Sequence, residues 1–196
     1  MKRILVFDLV YLKELKQDTF RSDFDELSFA LNLLFDITRI IVDKDPALSA
    51  LNSDSVKMTR AFSSLKNRVG IMVPFERCID AFRELCEEPL KRKIGIDCED
   101  DIFIGTPDMF RGVEKDIVIL SSLRNSTVDG LAQLDDAAFV KLAFSRCKHF
   151  LWLIGSSLTF RGSESAGASL INNFIKTTQL ISVGSNQNYY EFIDFK

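Results

Sequence analysis

The residues of this chain best placed to do chemistry lie between Ile102 and Asn125, in IFIGTPDMFRGVEKDIVILSSLRN. A short apolar run ends in Gly105-Thr106-Pro107-Asp108, a Phe110-Arg111-Gly112-x-Glu114-x-Asp116 segment follows, and a second apolar run begins at Ile117. Polar side chains and a glycine are thereby set at the end of a buried strand, which is where open α/β sheets bind ligands. A second cluster, Arg146-Cys147-Lys148-His149, closes a helical pattern just before another apolar run. Basic residues also occur at helix ends for dipole reasons alone. Glu114 and Asp116 read equally as solvated loop acids, and Arg111 as a surface charge or a phosphate contact.

Metal chemistry has little material. The four cysteines, Cys78, Cys86, Cys98 and Cys147, form no C-x-x-C pair, and His149 is the single histidine. No zinc site is expected, and reduced thiols in a cytoplasmic or nuclear protein are the expectation. Net charge is −3, so no overall basic field draws nucleic acid, and any such contact must be local. The Lys91-Arg92-Lys93 triplet is a local basic candidate that also fits a solvated loop. The opening run Met1–Phe7 is cut short by Asp8 and reads as a first strand rather than a leader, and no segment has the length of a membrane span.

Five apolar, β-branched runs predict the strands that position these residues: Ile4–Val10, Val69–Val73, Ile102–Gly105, Ile117–Ser121 and Phe150–Ile154. Their hydrophobicity is nearly continuous, as expected for strands covered on both faces. Helical patterns separate them. Phe24, Leu27, Leu31, Leu34 and Ile41 recur at three- and four-residue steps, with Ser22, Asp25 and Glu26 as start signals. Phe75–Glu88 repeats the spacing and stops before Pro89, and Asp135–Lys148 begins acidic and ends basic. The alternation predicts an α/β fold with a mostly parallel sheet. Asp43–Ser55 and Arg161–Ala168 read as loose, and the tail after 170 as one amphipathic helix and a last short strand. Trp152 and the cysteines read as core.

The Thr106–Arg124 text resembles motif V of superfamily 1 helicases of the senataxin and nonsense-mediated-decay group, whose pattern is Thr-Val-Asp-x-Phe-Gln-Gly-x-Glu-x-Asp, then an apolar strand and Ser-x-x-Arg. Thr106, Asp108, Phe110, Gly112, Glu114, Asp116, Ser121 and Arg124 fall on that pattern. Leu142–Lys148, LAFSRCK, is similar to motif VI (Val-Ala-Leu-Thr-Arg-Ala-Lys), and Val69–Phe82 to motif IV (Ile-Gly-Ile-Ile-Thr-Pro-Tyr and a later Gln). Ser22–Leu34 resembles the helix that precedes motif IV. The resemblance implies a RecA-like P-loop NTPase fold of the second-domain type lacking the phosphate loop, over residues 1–160, with 161–196 as a partly ordered tail.

It further implies roles. Arg146 is the arginine finger that reaches the γ-phosphate of ATP and stabilises charge during phosphoryl transfer. Glu114, Gly112 and Phe75 are nucleotide-binding, with Gly112 allowing close backbone approach and Phe75 stacking near the adenine. Thr106, Asp108 and Arg111 lie along a single-stranded RNA or DNA. There are departures: Arg111 stands where the family has a glutamine and cannot accept a hydrogen bond, Cys78 replaces the motif IV glutamine, and Ala138, Phe139 and Lys141 replace the arginine pair and asparagine of motif VI.

No G-x-x-x-x-G-K-[ST] loop and no Walker B acid pair occur in the chain. ATP and Mg2+ are therefore expected only when a first RecA-like domain, or an equivalent partner chain, completes the cleft, and no ATPase activity is expected from this chain alone. The expected function is the C-terminal motor half of an ATP-dependent RNA or DNA helicase. The alternative is a degenerate, non-enzymatic relative serving as a nucleic-acid or protein binding module.

Overall fold

The computed structural model describes residues 3–8, 19–87, 90, 101–122 and 132–182. Among these residues six strands form one sheet in the order β3-β2-β4-β5-β1-β6: β1 Arg3–Asp8, β2 Val69–Met72, β3 Phe103–Gly105, β4 Lys115–Ser121, β5 Cys147–Gly155 and β6 Gln179–Ser182. Every pairing is parallel. Parallel neighbours need crossovers, and the helices that supply them cover both faces.

The faces separate along each strand by side-chain alternation. Ile71, Ile119, Trp152 and Ile154 join one core cluster with α1 (Thr19–Lys44), α3 (Asp54–Ser63) and α4 (Arg77–Cys86). Met72, Val118, Leu120, Leu151 and Leu153 join the other with α5 (Ala137–Ser145), α6 (Ser157–Gly162) and α7 (Ala166–Thr177). Both faces being buried explains why the strands read as unbroken apolar runs. Cys78, Cys86 and Cys147 are buried, and Trp152 is 1% exposed.

Several expectations are corrected. Asp43–Ser55 is not loose. It holds a four-residue helix, α2 (Pro46–Ser49), capped by the Asp45 carboxylate on the Ala47 N–H at 2.9 Å, and the start of α3, whose Ala61 and Phe62 are buried. Nor is 161–168 loose, since α6 ends at Gly162 and α7 begins at Ala166, with the Ser165 hydroxyl accepting from the Ala168 N–H at 3.1 Å. The helix expected over 135–148 ends at Ser145; Cys147–His149 instead extend β5, because Cys147 pairs with Lys115. Helix α1 starts at Thr19, so Glu26 is two turns inside it rather than a start signal, and it is fully buried.

The tail supplies the expected helix and strand. α7 buries Ile171 and Ile175, and β6 pairs with β1. The side chain of Ser22, and the whole of Leu9, Val10, Glu88, Lys91–Lys93, Cys98 and Arg124, lie outside the described residues.

Candidate functional site

The candidate residues divide between the two ends of the sheet. Strands β2 and β3 are neighbours, yet the chain leaves them toward opposite faces. After β2 it enters α4, which packs into the first cluster. After β3 it drops Phe110 into the second. Diverging connections from adjacent parallel strands open a crevice beyond their carboxyl ends. A groove of about 580 Å³ lies there, lined by Phe75, Glu76, Arg77, Thr106, Asp108, Met109 and Gln133. Phe75 is partly buried and the Arg77 guanidinium stands 4.3 Å from its ring centroid. Met109 is 45% exposed, unusual for a large apolar side chain, while Thr106 is buried. Asp108 accepts two hydrogen bonds on one oxygen from Arg111, at 3.0 and 2.9 Å, in an open, solvated pair. Such a pair is worth little to stability, about 0–1 kcal/mol.

From Thr106 the chain crosses the second face of the sheet to reach the start of β4. Phe110 anchors it midway: its ring is fully buried and meets Phe103 edge to face, with centroids 4.7 Å apart and planes at 89°. Gly70 makes room, since a Cβ there would lie 2.8 Å from the Phe110 ring. Gly112 follows at φ +77°, the left-handed region that favours glycine, with open space where a Cβ would point.

The crossing ends at a charged edge formed by the amino ends of β2, β4 and β5. Gly105 pairs with Met72, and Met72 with Leu120, so Lys115 lies five strand residues below the groove. That is about 16 Å. The Lys115 N–H donates to the Arg146 carbonyl at 3.0 Å, which brings Arg146 beside Glu114. Arg146 caps α5, and its Nε and Nη2 both donate to the Ser145 hydroxyl at 3.0 Å. Among the described residues no carboxylate pairs with it.

Asp116 accepts from Arg68 Nε at 2.6 Å, and that bond holds its carboxyl below the usual range despite some burial. Burial pushes the Lys115 ammonium down, only partly offset by Asp116, while its Nζ donates to the Asn67 carbonyl at 2.9 Å. Asn67 adopts φ 62°, a conformation asparagine tolerates better than most residues.

The structure thus brings Arg146 and Glu114 together, and brings Thr106 and Asp108 together. Phe75, read from the sequence as a nucleotide residue with Glu114 and Gly112, sits instead with Thr106 and Asp108 at the opposite end. Cys78, at the position of the motif IV glutamine, points into the core and does not line the groove.

The roles of four residues escaped sequence reasoning. Arg77 and Met109 carry no motif signal beyond lying near Pro74-Phe75 and Asp108. Gln133 comes from a separate 3-10 turn, Ala132–Asp135. Glu26 is fully buried and accepts from the Ser121 hydroxyl at 2.7 Å and the Ser122 hydroxyl at 3.5 Å, clasping the end of β4. An acid among apolar residues two turns into a helix was the available signal.

Residues 46–158, more than half of the chain and including all three motif segments, match a family described as an AAA domain. The chain belongs to that AAA domain family. Its relatives include DNA polymerase alpha-associated DNA helicase A of Saccharomyces cerevisiae, 26% identical over 107 residues, covering 55% of this chain and 15% of that protein. Regulator of nonsense transcripts 1 of Dictyostelium discoideum is 27% identical over 127 residues, with 64% and 9% covered. Helicase sen1 of Schizosaccharomyces pombe is 28% identical over 101 residues, with 52% and 6% covered. The chain therefore spans less than a sixth of the length of these relatives. A crystal structure of the C-terminal domain of a possible DNA helicase from Lactobacillus plantarum WCFS1 superposes with a TM-score of 0.46 at 13% identity, over 92% of this chain and 84% of that one.

The helicase resemblance read from the motifs is accordingly a family relationship, and this AAA domain has the α/β architecture, a parallel sheet between helices, that the relationship implied. No helix among the described residues is long and apolar enough to cross a membrane.

Proposed function

We propose that this domain is the C-terminal motor half of an ATP-dependent RNA or DNA helicase, forming one wall of a nucleotide cleft whose other wall is a P-loop domain. The observation that carries the reading is the Lys115 N–H to Arg146 carbonyl bond, which sets at one sheet edge, beside Glu114, an arginine that pairs with no carboxylate among the described residues. In this reading Arg146 faces the γ-phosphate and stabilises charge as the phosphoryl group transfers. Glu114, exposed and at the same edge, accepts from a ribose hydroxyl. Gly112 leaves its side of the loop open for the approach.

Among the described residues no three acids, cysteines or histidines gather as a metal cage. Because this sequence holds no G-x-x-x-x-G-K-[ST] loop and no Walker B acid pair, Mg2+ and the phosphate-cradling lysine are assigned in this reading to the partner domain, and ATP hydrolysis to the assembled pair. Thr106 and Asp108, about 16 Å away at the groove, lie along the nucleic-acid strand. Arg111, tied to Asp108, joins them as a secondary contact. A cytoplasmic or nuclear setting follows from that substrate.

The test is to combine the chain with the P-loop-bearing first domain of a related helicase and measure nucleic-acid-stimulated ATP turnover. Arg146→Ala is expected to reduce kcat by about 10³-fold or more, the usual worth of such an arginine. Turnover indifferent to that change refutes the motor reading. One observation favours the alternative of a non-enzymatic binding module: Cys78, at a position where the family uses an amide, is sealed in the core. That alternative is supported by nucleic-acid binding with no turnover from any P-loop partner.

A further inference from the structure

Strand β4 reaches the charged edge without a regular backbone ladder on either side. Its pairing with β2 starts only at Ile117, opposite Val69, where the Ile117 N–H donates to the Arg68 carbonyl at 3.1 Å. On the other side Lys115 opposes Cys147 and Ile117 opposes Phe150, so two steps along β4 match three along β5 and the ladder is irregular at Asp116. Side chains take over there. Arg68 Nε donates to Asp116 at 2.6 Å, and Lys115 Nζ to the Asn67 carbonyl at 2.9 Å. Each pair spans 48 positions, the same offset as Val69 and Ile117, so the two bonds continue the register beyond the backbone pairing.

The two bonds are unequal. Arg68 is exposed, and surface pairs of that kind hold little. Lys115 is partly buried: its stem fills the space that Gly70 leaves, since a Cβ on Gly70 would lie 3.0 Å from Lys115 Cγ. Its ammonium stands 5.3 Å from the Phe103 ring centroid. On its other flank the Lys115 N–H donates to the Arg146 carbonyl at 3.0 Å. One residue thus braces the edge from both sides, by its side chain to β2 and β3 and by its backbone to the end of α5.

We propose that Lys115 is a positioning residue, which fixes Arg146 for phosphoryl transfer by anchoring the first residue of β4 to Asn67 and Phe103. It acts through the Arg146 carbonyl and not on the nucleotide. This role rests on the motor reading above and deepens it, naming the side chain that holds the arginine in place.

The test is a double-mutant cycle in the chain paired with a P-loop-bearing first domain, read as single-turnover hydrolysis of labelled ATP with nucleic acid at saturation. Lys115→Met keeps the stem over Gly70 and removes the ammonium. It is expected to slow turnover by about 10- to 100-fold, the range for a reacting group misplaced by about an ångström. Lys115→Arg, which retains a cationic donor, should recover most of that loss. Arg146→Ala removes the guanidinium and leaves the carbonyl in place, so in its background Lys115→Met should cost less than about 2-fold. Equal losses in both backgrounds mean that Lys115 acts on folding or on ATP itself, and overturn the role. Unaltered turnover in Lys115→Met overturns it too, while the motor reading stands. Should the methionine chain fail to fold by circular dichroism, Lys115→Gln, whose shorter side chain does not span to Asn67, takes its place in the cycle. No turnover from the unaltered pair removes the motor reading itself, and this role with it.

Discussion

Truncating Phe110 tests whether one ring holds the segment that joins the two candidate sites. The side chain is fully buried, stacked edge to face on Phe103, and pressed toward Gly70 where no side chain intervenes. Phe110→Ala removes the ring from a tightly packed site, for which about 3–5 kcal/mol is the ordinary cost. The aromatic pair accounts for about 0.5–1.5 kcal/mol of it. For a chain of this length each kcal/mol lowers Tm by about 2–4 °C, so a fall of roughly 6–20 °C is expected. Phe110→Leu, which retains most of the apolar volume, should cost about 1.5 kcal/mol or less.

Urea unfolding followed by circular dichroism measures both variants, and a double-mutant cycle with Phe103→Leu isolates the ring–ring contribution. If Phe110→Ala costs less than about 1 kcal/mol, the crossing segment is held elsewhere and the packing argument is wrong. If the cycle closes with no coupling, the edge-to-face geometry contributes nothing.

Other consequences are equally specific. Gly70→Ala should destabilise by about 1–3 kcal/mol through overpacking against Phe110, and Phe110→Leu in the same chain should recover part of the loss, as read from urea midpoints. The Arg68–Asp116 bond depresses the folded-state pKa of the aspartate, so its stabilisation is present above the ordinary aspartate value near 3.9 and disappears as pH falls through the lower folded value. The stability gap between the unaltered chain and Arg68→Ala, about 0.2–1 kcal/mol for so exposed a pair, should be flat from neutral pH to about pH 5 and close below pH 4. A gap that widens in acid contradicts the assignment. Glu26→Ala strands the Ser121 hydroxyl in the core and should cost about 1–3 kcal/mol; full stability of that variant would show that the clasp on β4 is dispensable. Arg146→Ala, by contrast, should unfold within about 0.5 kcal/mol of the unaltered chain, which separates its effect on turnover from any effect on folding.

The parallel sheet was legible because its central strands, β2, β4 and the second half of β5, are buried on both faces and so spell unbroken apolar runs. Helix α3 was not legible. Its apolar contribution is mainly Ala61 and Phe62, at its last turn, and the preceding Asp43–Ser55 stretch is polar enough to read as loop. The boundary at 146 failed for a different reason. Local helical pattern and terminal charge both ran on to Lys148, and only pairing with Lys115, a contact across 32 positions, converts Cys147–His149 to strand.

The motif resemblance grouped Arg146 with Glu114, and Thr106 with Asp108, by expected role; which end of the sheet each pair occupies comes from the folded topology alone. The resemblance could not place Phe75, because position in the sequence does not say which end of the sheet a strand-flanking residue occupies. Arg77 and Gln133 were invisible for the same cause. They reach the groove from elements that only the folded topology makes neighbours.

Nine residues, Thr106 to Glu114, join the groove to the charged edge. They cross the sheet as a run of turns, anchored at the middle by the buried Phe110 ring, with a left-handed glycine two positions beyond it. With Phe110 sealed in the core and Gly112 free of side-chain obstruction, a side chain added at 112 would be strained by the backbone rather than by crowding, so that position tests the conformation of the crossing separately from its packing.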